Sequence, residues 1–279
     1  MTTDQRSIAN LSFAAPGGRT IAYYDSAPSA GGTGKTIVLL HGFCGSSAYW
    51  EAVLPQLEGA GRVIVPDLRG HGRSSAPRQP VYAMEDFASD LEQLLAHLDA
   101  GAVWLFGHSL GGYVSLAFAE RNPDKLAAFA LVHSTAKPDG DEAKGNRDKA
   151  AQALRSDGID PFVTGLVPKL FAPAHRESMA ERVERMIDVG RGTDAEGAAA
   201  TALGMKARPD RTGVLEGLAV PVLLVAGSED GVIPPANTFT ADGPQVKQAL
   251  LEGCGHMSMT EAPDKLAAAL LAFLGRREA

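Results

Sequence analysis

Several things are scarce in this sequence, and each shortage removes a class of function. Only two cysteines, Cys44 and Cys254, occur in 279 residues. That is too few for a disulfide scaffold, and they form no CxxC pair, so each is expected as a small residue in a packed loop. Apolar runs such as IVLL (37–40) and VLLVA (222–226) are far shorter than the roughly 20 residues of a membrane-spanning helix. The opening MTTDQRSIAN carries no apolar stretch, so no secretory signal is expected. Basic residues form no run, and 26 of them against 33 acidic ones leave a net charge of −7. That balance argues against nucleic acid as a partner.

What is present is ordinary for a soluble globular protein: 45% hydrophobic and 21% charged residues, in a length that suits one large domain or two. The expectation is a cytoplasmic protein acting on a neutral or mildly polar small molecule, with neither nucleic acid nor membrane as partner and its oligomeric state open.

Along the chain, residues 6–14 and 19–25 read as a hairpin around Pro16, Gly17 and Gly18. A Gly/Ser/Pro loop covers 26–35. Its GTGKT is not a phosphate loop, because Ser29 stands where the first glycine is required and a strand follows. Strands are expected at 37–40, 62–65, 102–106, 127–132, 221–226 and 246–251. Helices are expected at 47–58, 84–99, 109–121 and 258–275. Residues 136–213 hold no β-type run. They are Ala-rich and charged, and predict three to four short helices, with starts signalled at Asp160-Pro161 and Pro173. Strands apolar on both faces, alternating with helices, imply a covered parallel sheet. Functional residues then collect at the carboxyl ends of the strands.

One stretch dominates that edge. In VWLFGHSLGGY (103–113), an apolar run ends at Gly107 and a helical run begins after His108, with Ser109 at the centre of G-x-S-x-G. A sharp strand-to-helix turn holds such a serine in a strained conformation, and side chains at Gly107 and Gly111 would crowd it. A serine hydroxyl needs a base, usually a histidine oriented by a carboxylate. Of seven histidines, His97 lies in a helix and His175 in the 136–213 segment. His41, His71, His108 and His133 lie at strand ends and stay open. His256, in the glycine-rich EGCGHMSM after the last strand, is the best-placed base. Asp230, in VAGSEDGVIPP, is the favoured carboxylate over its neighbour Glu229 and over Asp139.

The order Ser109, Asp230, His256 resembles that of the α/β-hydrolase fold family. The resemblance extends over HGF (41–43), DLRGHGRS (67–74), GHSLGG (107–112), GSEDGVIPP (227–235) and GCGH (253–256). It implies an α/β-hydrolase fold: a mostly parallel eight-stranded sheet with helices on both faces. The core would be residues 1–135 and 214–279, with a helical cap at 136–213. It implies backbone N–H groups of Phe43 and Leu110 as an oxyanion hole. It further implies an esterase-like serine hydrolase acting on esters of small to medium acyl chain, with no metal or organic cofactor. Lactone or C–C bond cleavage, and a ligand sensor, are the alternatives. Phe162, Leu166, Phe171 and Met205 are candidates to line an acyl pocket. His41 and the DLRGHGRS turn are expected to be structural.

Overall fold

The computed structural model describes residues 5–26 and 34–275. Residues 27–33 of the Gly/Ser/Pro loop lie outside them. Eight strands form one sheet: β1 (Leu11–Ala15), β2 (Arg19–Asp25), β3 (Thr36–Leu40), β4 (Arg62–Pro66), β5 (Val103–His108), β6 (Leu126–Val132), β7 (Val222–Gly227) and β8 (Val246–Leu251). Their order is β1-β2-β4-β3-β5-β6-β7-β8. The β1–β2 and β2–β4 pairs are antiparallel; every later pair is parallel. Register aligns the carboxyl ends: Leu40 lies beside Gly107, His108 beside Val132, and Gly227 beside Leu251.

Strand residues alternate between two apolar clusters, one per face. Leu39, Val65, Phe106 and Val225 belong to one, and Val38, Ile64, Leu105 and Leu224 to the other. Burial on both faces is why these strands read as continuous apolar runs. Long helices cover the faces: α1 (Met84–His97), α2 (Leu110–Arg121) and α7 (Pro263–Leu274) in the core. Between β6 and β7 lie α3 (Asp141–Asp157), α4 (Ile159–Leu170), α5 (Ala180–Gly190) and α6 (Ala195–Ala207), with a short helix His175–Ser178 after α4. With Thr212–Glu216 just before β7 these make six, more than the three to four expected; the stretch after Pro173 is itself divided at Met179, whose φ of −120° and ψ of 34° separate His175–Ser178 from Ala180–Gly190.

Three elements differ from expectation. Residues 47–58 form two short pieces, Ser47–Trp50 and Leu54–Leu57, although Trp50, Val53, Leu54 and Leu57 are all buried as expected. The Ser46 hydroxyl caps the first piece, and Pro55 opens the second, where its missing N–H costs nothing. The hairpin's first strand begins only at Leu11, since Ser7 instead turns its hydroxyl to Asp67 Oδ2 at 2.6 Å. The final helix is split at Ala262, where Pro263 begins a new first turn. In the DLRGHGRS turn, Asp67 accepts from the backbone N–H groups of Ser47 and Arg73, and buried Arg69 pairs with Asp90 at 2.7 Å. His41 accepts from the Leu68 N–H, a structural role.

Candidate active site

Ser109 sits between β5 and α2 at φ 50° and ψ −113°, a conformation costly for any residue with a Cβ. The close crossing explains the glycines. A Cβ on Gly107 would lie 2.4 Å from the Gly111 carbonyl oxygen, and one on Gly111 would lie 2.6 Å from that of Leu40. Three contacts hold the turn: the Ser109 N–H donates to Val132 O at 3.0 Å, and the Ser109 carbonyl accepts from Gly112 N–H at 2.9 Å and from the Ser134 hydroxyl at 2.7 Å. Amid buried neighbours, Ser109 itself stays partly exposed.

Leu110 supplies the first N–H of α2, one that helix geometry leaves without an intrahelical acceptor. The HGF loop presses on the same turn: a Cβ on Gly42 would lie 2.6 Å from His108 Nδ1 and 3.4 Å from Ser109 Cβ. That brings the Gly42–Phe43 backbone beside the serine. The Phe43 ring is half-buried, 6.0 Å from Phe162 and 6.2 Å from His71.

Asp230 is buried beyond β7, whereas Glu229 is exposed. His256 Nδ1 donates to Asp230 Oδ2 at 2.8 Å, and the other oxygen accepts from the Val232 and Ile233 N–H groups, both at 2.9 Å. Asp139 is engaged elsewhere, with Arg147 and Arg208. Burial of Asp230 favours the neutral acid, but His256 and hydrogen bonds from His133 and His256 outweigh it and hold the carboxyl well below its usual range. With Asp230 on Nδ1, His256 has its Nε2 left for proton transfer. The His256 N–H donates to Leu170 O at 2.7 Å, and its carbonyl accepts from His108 Nε2–H at 2.9 Å. The rings of His108 and His256 stand 5.0 Å apart, which puts His256 beside the end of β5, the strand that leads into Ser109.

Two features escape sequence reasoning. His133, at the end of β6, donates its Nδ1–H to the same Asp230 Oδ2 at 3.1 Å, and its Nε2 meets Ser258 Oγ at 2.7 Å. A histidine at a strand end is the only sequence sign of it. Glu261 is a buried carboxylate that accepts from the N–H groups of Gly255 and Met257, on either side of His256, at 3.1 and 3.0 Å. It also accepts from Ala172 N–H at 2.9 Å and His175 at 2.7 Å, beyond the end of α4. In the sequence it reads only as an acidic residue ahead of a proline.

Of the pocket candidates, Phe162 and Leu166 are half-buried on the same apolar cluster as Phe43, and Phe171 is fully buried within it. Met205 is buried in the cluster on the opposite face. Both cysteines are buried and unpaired, and burial pushes both thiols above their usual range, which suits packing rather than reactivity. Among the described residues, the one group able to offer a metal ion three ligand atoms is His133, Asp230 and His256. Both Nδ1 atoms there already point at a carboxylate oxygen at hydrogen-bond distance.

A family model described as alpha/beta hydrolase fold matches residues 35–263. The chain is 32% identical over 263 residues to the dihydrolipoyllysine-residue acetyltransferase component of the acetoin cleaving system of Pseudomonas putida, covering 92% of this chain and 67% of that protein. It is 32% identical over 251 residues to a putative carbamate hydrolase of Variovorax paradoxus, covering 87% and 92%. Its structure is similar to that of a thermophilic esterase from Thermogutta terrifontis, with a TM-score of 0.86 and 34% identity, covering 95% and 97% of the two chains.

Proposed function

The chain belongs to the alpha/beta-hydrolase fold family, and we propose that it is a serine esterase cleaving carboxylic esters of small to medium acyl chain through an acyl-enzyme. The observation that carries this reading is the buried Asp230–His256 contact of 2.8 Å, at the same sheet end as a serine held at φ 50°. The similarity to a solved esterase at 34% identity supports it.

Ser109 Oγ attacks the ester carbonyl while His256 Nε2 takes its proton. Asp230 fixes the His256 tautomer and stabilises the imidazolium that forms. The N–H groups of Leu110 and Phe43 receive the oxyanion, and loss of one such donor typically costs about 10²–10³ in turnover. His256 then protonates the departing alcohol. The same histidine activates a water that releases the acid from Ser109. Phe43, in ring contact with Phe162 of α4, forms an apolar wall beside the acyl group. That half-buried wall favours short and medium chains. The enzyme works in the cytoplasm, in keeping with its two unpaired buried thiols.

Hydrolysis of p-nitrophenyl esters of increasing chain length, by the wild type and by Ser109→Ala, tests this. Turnover should peak at short chains and vanish in the variant. A folded wild type that turns over no linear ester would overturn the ester reading. Activity confined to lactones or carbamates would keep the nucleophile and change the bond class.

A further inference from the structure

Asp230 serves two histidines, and only one of them is used by the mechanism. Its Oδ2 receives Nδ1–H from His256 at 2.8 Å and from His133 at 3.1 Å. His133 has no access to solvent and sits at φ 50°, an uncommon conformation for a residue with a side chain. Such strain persists where surrounding contacts over-determine it. The contacts here are the carboxylate on one ring nitrogen and Ser258 Oγ, 2.7 Å away, on the other. Because Nδ1 donates to a carboxylate, Nε2 is the acceptor, and the buried Ser258 hydroxyl donates to it. Burial lowers the basicity of the His133 ring despite Asp230 beside it, so the ring is neutral when the enzyme works.

We propose that His133 is a positioning residue: it shares the Asp230 oxygen with His256, so limiting the pull of the carboxylate on the His256 proton, and Ser258 holds it in the donating tautomer. The inference rests on His256 being the base of the proposed esterase. The chemistry follows from charge. An oxygen that accepts one hydrogen bond from a neutral donor stabilises a second, charged donor less well. His133 thereby weakens the hold of Asp230 on a charged His256, the form that cannot act as a base. The other titratable groups near this pair are His108, whose ring is 5.0 Å from His256 and 6.0 Å from His133, and Glu261, bonded to the backbone on both sides of His256. Burial and the neighbouring His256 and His133 hold His108 well below its usual pKa, so it stays neutral. Glu261 is common to all variants considered.

The test is the pH profile of kcat/KM on a short p-nitrophenyl ester. In His133→Phe, which keeps a ring and loses the donor, the acid limb should move up by about 1 pH unit. In His133→Asn, whose amide N–H takes the place of Nδ1–H, it should return toward the wild type. A merely structural role would lower activity at every pH and leave the limb in place. An unmoved limb in a folded His133→Phe protein overturns the proposal, as does movement to lower pH. Should that variant not fold, NMR of wild-type protein labelled with ¹⁵N-histidine decides. His133 should hold its proton on Nδ1 and keep Nε2 bare at neutral pH. A His133 that is doubly protonated there, or carries its single proton on Nε2, contradicts the proposal. Absence of any ester turnover would defeat the proposed function instead, and the NMR result would still decide whether the two histidines share Asp230 in this way.

Discussion

The carboxyl ends of β5 to β8 and the helices of the 136–213 segment use polar residues in opposite ways. At the strand ends, Asp230, His133 and His256 have side-chain exposures of 0, 0 and 2%, and each is hydrogen-bonded. Between the helices, ion pairs such as Lys206–Asp148, exposed by 37 and 52%, and Arg155–Glu196, by 41 and 72%, lie at the surface, and the buried Arg208–Asp139 pair is the exception, outside the helices themselves. Buried polar groups are costly unless fully paired, so they fix one geometry. Exposed pairs contribute little and constrain little. A fixed geometry thus belongs to the first region, and freedom to vary belongs to the second. Glu261 joins the two, because one carboxylate bonds the loop of His256 and the backbone after α4.

The largest effect that would sharpen this contrast is expected at Asp230. Asp230→Asn should lower kcat by about 10⁴, with little change in KM, because the histidine loses its preferred tautomer. Steady-state kinetics would read it, and a variant within tenfold of wild type would break the account. Next comes the joint between the regions. Glu261→Ala leaves buried N–H groups without an acceptor and should cost about 3 kcal/mol in denaturant unfolding, with a clear fall in kcat. If stability fell and kcat did not, Glu261 would be a fold residue alone.

A smaller effect concerns pH. Burial lowers His41 to about 4 and His71 to about 3, the latter aided by His41 beside it. Unfolded, each binds a proton near pH 6.5, so the unfolded state holds more protons below that value and stability rises with pH there. From about pH 6.5 downward the protein should lose stability, about 1 kcal/mol per histidine by pH 5.5, until the folded pKa values are reached. Unfolding free energies flat between pH 7.5 and 5 would contradict this. The smallest effects belong to the helices. Phe162→Ala should move the acyl-chain optimum to longer esters while costing little stability, and Lys206→Ala should change stability by less than about 1 kcal/mol.

How much was legible follows the same division. Gly107, Ser109 and Gly111 are close in sequence and bound by one steric requirement, so the turn could be read directly. Asp230 and Glu229 were separable only by preference until burial placed one inside and the other in solvent. His133 and Asp230 are 97 residues apart, and no local pattern records that they meet. Glu261 is five residues beyond His256, but its role depends on Ala172 and His175 from a different part of the fold. In residues 136–213, alanines and alternating charges suit almost any helix, so number and boundaries were poorly specified. Likewise Phe171 and Met205 could not be told from packed core by type alone.

Covalent trapping tests the central claim most directly, since Ser109 is the proposed nucleophile whereas Ser258 is the serine bonded to a histidine that touches Asp230. The protein would be treated with a fluorophosphonate and the labelled peptide identified by mass spectrometry. The account predicts a single adduct on Ser109, slowed strongly in His256→Ala and absent in Ser109→Ala. An adduct on Ser258, or a folded protein that takes no label, would contradict it.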